Sequence, residues 1–468
     1  MTLPSPLCGK KFAIVTLGCR TNHYESEAIA SLLTSRGAHF IESGDAPDSP
    51  DILVLVTCSI TSAADAKTRK LIRRLRRTYP AALLAATGCY VQGRGDDEVL
   101  GLGVDVAVGN RLKSTLPAAL EAWFAAPGQV LHRADVSLRG LPWDALELDR
   151  PRIHTRAFVK VQEGCSRSCS YCIVPSVRGP QISRSDEEIV REVARIAAAG
   201  CREVVLTGIH LGSYRYGCVA LADLVRAVSA VPGLERLRLG SIEPFSIDDA
   251  LLAALADSPA FCPHLHVPLQ SGDDEILQKM RRGHSAADFA ATAARIRACL
   301  GSDVHLSTDL IAGFPGEDEA AFERSLALLE QLAFGKLHVF PFSARAGTLA
   351  AAMEGRVDRE VAKDRVGRAN ALSAKMLAEY AERWVSRCDT VMVESVWKDP
   401  ESAEQIAAGW TRHYLRSYFR VSREGDGKKN VGNIADFAAN RAVGGILLGD
   451  DLNAASFSPP EDASEGAI

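Results

Sequence analysis

The sequence predicts an α/β protein in three parts: an N-terminal α/β domain with a parallel sheet, a central partial (β/α)6 barrel and a small C-terminal β domain. Three observations lead to this prediction. Continuous apolar runs alternate with helical stretches up to about residue 384, a pattern typical of parallel sheets covered on both faces. Six such repeats follow one another in the central segment, and strand-like runs dominate after residue 385.

The first segment, about residues 8–125, repeats one arrangement three times. An apolar strand ends in a cysteine and a helical stretch follows, which places Cys19, Cys58 and Cys89 just beyond three strand ends. Strands of a parallel sheet point the same way, and ligands gather outside their carboxyl ends. The three thiols can therefore converge on a metal site, although three buried, inert thiols are the simpler alternative.

A cationic helix is predicted in the same segment. Seven lysines and arginines, and no acid, lie between Lys67 and Arg77, while Leu71, Ile72 and Leu75 share the opposite face. Like charges at this spacing repel one another. The surface is either an RNA-backbone contact or an ordinary solvated face, and the sequence does not decide between them.

A linker is predicted at about 126–150, followed by the barrel at about 151–384. Its six predicted strands are 157–163, 203–209, 236–242, 264–270, 303–311 and 336–342. Ser185 and Glu188 have the spacing of a capping box at the start of the first crossover helix. The carboxyl ends of barrel strands form the active face. Those ends carry polar and glycine-rich residues that outline a cofactor pocket: Gly208, His210, Glu243, Gln270, Asp309 and Gly313.

The most informative motif follows the first barrel strand. Cys165, Cys169 and Cys172 have the spacing C-x3-C-x2-C, which puts three thiolates on one tight loop. Thiolates are the usual ligands of iron–sulfur clusters, and a four-iron cluster normally takes four. Three ligands leave one iron open for chemistry. Structural zinc is the alternative, but it needs four protein ligands, and no fourth lies at a suitable spacing.

The third segment, about 385–452, contains two predicted strands, at 390–396 and 414–421. Residues 433–442 look almost helical. The run 409–416 mixes aromatic and cationic groups, which suits RNA stacking but is equally common on inert surfaces. The tail, residues 453–468, is predicted to be disordered.

Bulk composition limits the classes of protein. A net charge of −4 gives no global sign of nucleic-acid binding, so any such surface must be local. No apolar run reaches the length of a membrane span, and no cleavage signal is recognisable at the start. Twelve cysteines without a secretion signal favour a reducing compartment. We therefore expect a soluble, cytoplasmic protein without a membrane partner.

Along nearly its whole length, the chain resembles the radical S-adenosylmethionine methylthiotransferases. The matching motifs are TLGCRTN at 16–22, TCSIT at 57–61, TGCYVQ at 87–92, EGC-x3-C-x2-CIVP at 163–175 and DLIAGFPGE at 309–317. Two further motifs, NHYESE at 22–27 and LTGIH at 206–210, are most like the branch that acts on threonylcarbamoyladenosine next to the anticodon of tRNA.

The resemblance implies two 4Fe–4S clusters and S-adenosylmethionine as cofactors. Cys165, Cys169 and Cys172 would hold the cluster whose open iron binds S-adenosylmethionine and generates a 5′-deoxyadenosyl radical. Cys19, Cys58 and Cys89 would hold an auxiliary cluster that delivers methylated sulfur to carbon-2 of the adenine. The expected S-adenosylmethionine contacts are Tyr171, Gly208, Glu243, Gln270, Asp309 and Gly313.

The expected partners are tRNA, a sulfur donor and a low-potential electron donor of the flavodoxin or ferredoxin type. The C-terminal segment would correspond to the family's RNA-binding TRAM domain. Two alternatives keep the chemistry and change the substrate, to isopentenyladenosine in tRNA or to an aspartate of a ribosomal protein. An alternative of a different class is a zinc-stabilised RNA-binding protein without catalytic activity.

Overall fold

The computed structural model describes residues 5–41, 49–126, 131–133, 137–399, 404–421 and 431–449. It confirms the predicted fold class: a parallel sheet with helices comes first, a six-stranded partial barrel second and a β domain last. None of the helices in these ranges is both long and apolar enough to cross a bilayer. The tail predicted to be disordered lies outside the described residues.

The first sheet has six parallel strands in the order β2-β1-β3-β4-β5-β6. Its strands are β1 (Lys11–Thr16), β2 (His39–Phe40), β3 (Ile52–Thr57), β4 (Leu83–Gly88), β5 (Val106–Val108) and β6 (Leu131–Arg133). Its helices are α1 (Arg20–Ser35), α2 (Ser62–Thr78), α3 (Cys89–Arg94), α4 (Asp96–Gly101) and α5 (Leu116–Ala125). The three strands that end near cysteines were predicted. The short outer strands were not, and β6 lies in the predicted linker.

Six parallel strands form the barrel, as predicted. The strands of this region are β7 (Ala157–Glu163), β8 (Ile182–Ser183), β9 (Glu203–Gly208), β10 (Arg215–Tyr216), β11 (Val219–Ala220), β12 (Arg236–Leu239), β13 (His264–His266), β14 (His305–Ala312) and β15 (Lys336–Pro341). Parallel pairing runs β7-β9-β12 and β13-β14-β15, and a bridge from Leu237 to Phe261 joins the two halves. Among the described residues no ladder connects β15 back to β7, so the barrel is open on that side.

Eight helices of this region follow or connect the strands. They are α6 (Val174–Arg178), α7 (Asp186–Ala198), α8 (Leu221–Ser229), α9 (Asp249–Ala256), α10 (Asp274–Met280), α11 (Ala286–Leu300), α12 (Glu319–Gln331) and α13 (Arg359–Glu382). Side chains cap several of them; Asp248 and Asp318, for example, accept a backbone N–H in the first turn. The predicted capping box at α7 is wrong. Ser185 makes no capping bond, and the Glu188 carboxylate faces the Arg184 guanidinium at 3.4 Å.

The last domain is a six-stranded sheet in the order β19-β16-β17-β18-β21-β20. Its strands are β16 (Cys388–Lys398), β17 (Gln405–Thr411), β18 (Arg416–Val421), β19 (Ile434–Ala438), β20 (Arg441–Val443) and β21 (Ile446–Leu448). The helical tendency inferred for 433–442 is wrong. Pairing of β19 with β16, and burial of Phe437 against Trp384 and Leu447, override the local preference.

The turn between β17 and β18 plugs the barrel. Arg236 and Arg238 of β12 donate to the carbonyls of Trp410 (3.0 Å) and Thr411 (2.7 Å). The Tyr414 ring stacks on Trp410 on one side and on His264 on the other, with centroids 4.9 and 4.5 Å apart. Of the two alternatives for this run, the structure favours packing within the protein for Tyr414, because protein covers both faces of its ring.

The first domain and the barrel share one apolar core. Tyr24 and Ile29 of α1 belong to the same buried cluster as Val159 and Val161 of β7. Helix α1 thus lies directly against the first barrel strand. This packing fixes the cysteine-bearing edge of the first sheet relative to the barrel.

Candidate metal and cofactor site

The first cysteine trio lies at one edge of the N-terminal sheet, where the sequence predicted it. Strands β1, β3 and β4 are neighbours, and their ends are level: Thr16 pairs with Val56, and Thr57 with Gly88. The Asn22 amide ties two of these ends together by donating to the carbonyls of Leu17 (2.5 Å) and Thr57 (3.0 Å). Cys19, Cys58 and Cys89 each follow one of these strands directly or within three residues.

Solvent reaches the three thiols unequally. Cys19 is exposed, whereas Cys58 and Cys89 are 8% and 3% exposed. Burial, together with the neighbouring Cys89 and Cys19 thiols, raises the pKa of Cys58 to about 12. Burial also raises the pKa of Cys89, although Arg178 opposes that shift. Without metal the Cys58 and Cys89 thiols are protonated at neutral pH, so a metal that binds them must displace protons.

The second trio lies on the loop after β7. Gly164 adopts a φ of +71°, and a Cβ there would approach the Pro180 carbonyl to 2.2 Å, so only glycine fits. The backbone N–H of Ser170 donates to the Met280 carbonyl at 3.1 Å, which anchors the middle of the loop. Cys165, Cys169 and Cys172 are all half-buried. Burial raises the pKa of Cys172 to about 12.

Arg282 connects this trio to the predicted cofactor pocket. Its guanidinium forms an ion pair with Glu243, lies 3.4 Å from the Tyr171 hydroxyl and approaches the Cys169 sulfur to 3.8 Å. Despite burial, which lowers it, Tyr171 and Glu243 raise the pKa of Arg282. Sequence reasoning missed this arginine, because nothing in its local motif marks it as buried.

The other predicted contacts lie on the same rim. Gln270 has a φ of +77° and forms an isolated bridge with Leu310 of β14. The Gly313 N–H donates to Glu317 at 2.6 Å, and a Cβ at Gly208 would lie 2.9 Å from Gln162. Asp309 faces His266 at 3.2 Å. Burial raises the pKa of Asp309, but His266 and His338 outweigh it, so the net shift is downward.

A buried ionic cluster joins the two trios. We use this term for Glu25 of α1, Lys113, Lys160 and Glu163 of β7, and Arg178 of α6, all at most 3% exposed at the side chain. Arg178 contacts Glu25 at 2.9 Å and Glu163 at 3.2 Å, and its Nε donates to the Cys89 sulfur at 3.1 Å. One guanidinium therefore contacts a cysteine of the first trio and a residue that lies two positions before Cys165 of the second.

The cluster contains three cations and two carboxylates in direct contact. Burial lowers the pKa of Lys113, whereas Cys89, Glu163 and Glu25 raise that of Arg178 in spite of burial. A surplus of positive charge next to a cysteine sulfur fits an anionic thiolate or metal–sulfur group at that position. Sequence analysis did not predict this cluster: Glu25 and Glu163 lie within the quoted motifs, but a charged residue in the chain carries no sign of burial.

A mononuclear metal site gains no support from the geometry. Within the described ranges, no three histidine, cysteine, aspartate or glutamate side chains are arranged to hold a single metal ion. The ligands of a four-iron cluster lie farther apart than those around one ion. The zinc-stabilised alternative therefore rests on no observed site.

Comparisons with known proteins agree with this geometry. The family model described as Radical SAM superfamily matches residues 159–329, and the one described as Uncharacterized protein family UPF0004 matches residues 11–109. Threonylcarbamoyladenosine tRNA methylthiotransferase MtaB of Bacillus subtilis is 34% identical to this chain, over 89% of this chain and 92% of the relative.

The chain belongs to the radical S-adenosylmethionine methylthiotransferase family. Proteins of the radical S-adenosylmethionine superfamily use S-adenosylmethionine and a 4Fe–4S cluster, so both are cofactors of this methylthiotransferase. A second relative, tRNA-2-methylthio-N(6)-dimethylallyladenosine synthase of Methylococcus capsulatus, is 37% identical, over 82% of this chain and 85% of its own length.

A solved structure of the same superfamily shares the fold. It is the radical S-adenosylmethionine methyltransferase TsrM from Kitasatospora setae, with cobalamin and a 4Fe–4S cluster bound. The TM-score is 0.52 at 15% identity, over 71% of this methylthiotransferase and 72% of TsrM.

Thiol accessibility and charge in the metal-free protein can be tested by alkylation. Because burial raises the pKa values of Cys58 and Cys172 to about 12, only about one in ten thousand of these thiols is ionised at pH 8. We expect iodoacetamide to modify both at least about a hundredfold more slowly than the exposed Cys8. The rates should rise as the pH is raised from 8 to 10. Peptide mass spectrometry measures them, and equal rates for all three thiols would contradict the assigned burial.

Removing the central guanidinium tests the buried ionic cluster. Arg178→Met leaves Glu25 and Glu163 short of a cationic partner in the interior, so we expect the free energy of unfolding of the metal-free protein to fall by about 3–5 kcal/mol. Arg195→Met is the matched control, because that exposed pair with Glu147 contributes at most about 1 kcal/mol. Urea denaturation measures both, and equal losses would show that Arg178 does not stabilise the domain junction.

Proposed function

We propose that this methylthiotransferase modifies carbon-2 of N(6)-threonylcarbamoyladenosine next to the anticodon of tRNA. The observation that carries the proposal is the similarity to the MtaB relative of Bacillus subtilis, which extends over 89% of this chain and 92% of that protein. Relatives named for dimethylallyladenosine are about equally similar, so prenylated adenosine in tRNA is the second candidate substrate. An aspartate of a ribosomal protein remains an alternative with no specific observation in its favour.

The two trios are proposed to hold the metal groups. Cys165, Cys169 and Cys172 would bind one 4Fe–4S cluster with an open iron, and Cys19, Cys58 and Cys89 a second. When bound, the first supplies the electron that cleaves S-adenosylmethionine, and the second carries the sulfur to be transferred. The six sulfurs are a suitable donor set for two clusters: three follow neighbouring strands of the first sheet, and three lie on the loop after β7. The buried guanidinium of Arg178 donates to one of them, the Cys89 sulfur.

The side chains around the trios are proposed to orient and shield the reactants. An aromatic C–H is too weakly acidic for any side-chain base near pH 7, so no general base is required. Arg282 holds Glu243 and the Tyr171 hydroxyl in fixed positions on the rim. Tyr171 packs edge-on against Phe314 with centroids 6.4 Å apart, which places an apolar wall beside the cysteine loop.

A low-potential electron donor of the flavodoxin or ferredoxin type and a sulfur donor complete the proposal, because the chain contains no other redox group in its motifs. A tRNA substrate and thiol-dependent metal groups are consistent with a cytoplasmic location.

The outer face of α2 is proposed to contact the tRNA backbone. Its predicted helix is confirmed, with Ile72 and Leu75 buried. Arg76 is already used within the protein and is not available to an RNA phosphate, because its guanidinium pairs with the Asp105 carboxylate at 2.5 Å. Five exposed cations remain for RNA phosphates: Lys67, Lys70, Arg73, Arg74 and Arg77.

Nucleoside analysis tests the substrate directly. We expect tRNA from a strain lacking this gene to lose 2-methylthio-N(6)-threonylcarbamoyladenosine and to accumulate its unmethylthiolated precursor. The wild-type gene should restore the product, whereas Cys58→Ala and Cys169→Ala, as separate variants, should not. Loss of the methylthio-isopentenyl nucleoside instead would favour the second candidate and refute the first. Liquid chromatography with mass spectrometry distinguishes these nucleosides.

Salt dependence tests the proposed α2 contact. Changing Arg73, Arg74 and Arg77 to glutamine should weaken tRNA binding and reduce the slope of log affinity against log salt by about two to three, since each phosphate contact releases counterions. Changing Arg191, Arg195 and Arg202 removes the same charge from around α7 and should leave the slope unaltered. Equal slopes for the two triple variants would show that the outer face of α2 is an ordinary solvated surface and does not contact the tRNA.

A further inference from the structure

A small cavity lies inside the barrel on its open side. Its volume is about 20 Å³, and the side chains of Arg20, His264, His305, Lys336, His338 and Tyr414 account for most of its lining. Such a volume holds a group slightly larger than a water molecule but not a nucleobase. Any ligand that enters therefore inserts only a small terminal group.

All three parts of the chain contribute to this cavity. Arg20 begins α1 and directly follows Cys19, Lys336 and His338 lie on β15, and Tyr414 comes from the last domain. Arg20 is held in place by Tyr414, because its guanidinium donates to the hydroxyl at 3.3 Å. Arg20 thus connects the cavity to the auxiliary cysteine edge, because it directly follows Cys19, while His264, His305 and Lys336 each begin a barrel strand.

The cavity is cationic and its cations are not neutralised. Within the described part of the chain, no carboxylate lies within ion-pair distance of Arg20 or Lys336. Asp309 is the register partner of the cavity-lining His338, and its carboxylate faces His266 at 3.2 Å. Burial, and the nearby His266, Lys336 and Arg20, lower the pKa of His338 to about 4 although Asp309 opposes the shift, so this ring is neutral at pH 7.

We propose that Arg20 and Lys336 bind the carboxylate carried by the substituent of the target nucleotide. This assignment rests on the proposed function, which places a threonylcarbamoyl group on the substrate adenosine. Two unpaired, half-buried cations gain a charged acceptor when that group enters. A prenyl substituent offers neither cation a charged acceptor, which is a basis for discriminating against it.

Two other anions have the same chemistry: an RNA phosphate and the carboxylate of S-adenosylmethionine. A phosphate would be bound equally well from a stem-loop without any modified base. The carboxylate of S-adenosylmethionine would make Lys336 a determinant of cofactor affinity. The experiment therefore measures these alternatives separately.

The test compares anticodon stem-loops that differ only at the target adenosine. They carry N(6)-threonylcarbamoyladenosine, its neutral methyl ester, N(6)-isopentenyladenosine or unmodified adenosine, and they are titrated into the anaerobically reconstituted holoprotein by fluorescence anisotropy. We expect the acid to bind at least about tenfold more tightly than the ester. Lys336→Met and Arg20→Gln should each bring this ratio close to one, and Lys336→Arg should preserve it. Lys363→Met, an exposed lysine on α13, is the control that should also preserve it.

Each failure has its own result. Conversion of the threonylcarbamoyl stem-loop with an acid-to-ester ratio near one would overturn the cavity assignment and leave the proposed function intact. Conversion of only the isopentenyl stem-loop would overturn both. A ratio that persists in Lys336→Met and Arg20→Gln would place carboxylate recognition elsewhere. Weaker binding of S-adenosylmethionine by Lys336→Met, with an unchanged RNA ratio, would assign the cavity to the cofactor and refute the proposal.

Discussion

The structure depends on a buried guanidinium. Arg178 is 1% exposed and reaches Glu25 of the first domain, Glu163 of the barrel and the sulfur of Cys89. Removing charges from water costs several kcal/mol for each ion, so such a group persists only where its partners are held in place. In this protein the partners come from α1, β7 and the edge of the first sheet. These ionic contacts therefore hold the two cysteine trios in a fixed position relative to each other.

The two trios also differ in how the fold brings their cysteines together. A parallel sheet brings together cysteines that are far apart in sequence, because its strand ends share an edge. The loop after β7 brings together cysteines that are close in sequence, with Gly164 allowing the tight approach to Pro180. Exposure also differs between the trios: in the first, Cys58 and Cys89 are buried and Cys19 is exposed, whereas all three thiols of the second are half-buried.

The sequence predicted those parts of the fold and site that local patterns encode. Strand β7 was predicted with its observed bounds, and the ends of β3 and β4 lie within a residue of the predicted ones. The buried ionic cluster and Arg282 were missed, because a charged residue in a chain looks the same whether it is solvated or buried. Strand β19 was missed for a related reason: its pairing with β16 and the burial of Phe437 arise only in the folded domain. The run that contains Tyr414 left RNA stacking and an inert surface open, because its aromatic and cationic groups are equally suited to packing within the protein.

The central claim is that two separate cysteine trios each hold a 4Fe–4S cluster. Mössbauer spectroscopy of anaerobically reconstituted, iron-57-labelled protein, with iron and sulfide analysis, measures this most directly. The account predicts about eight irons and about eight sulfides per chain for the wild type. Replacing Cys19, Cys58 and Cys89 with alanine should leave about four of each, in a single cluster. One cluster in the wild type, or the same iron content in both proteins, would contradict it.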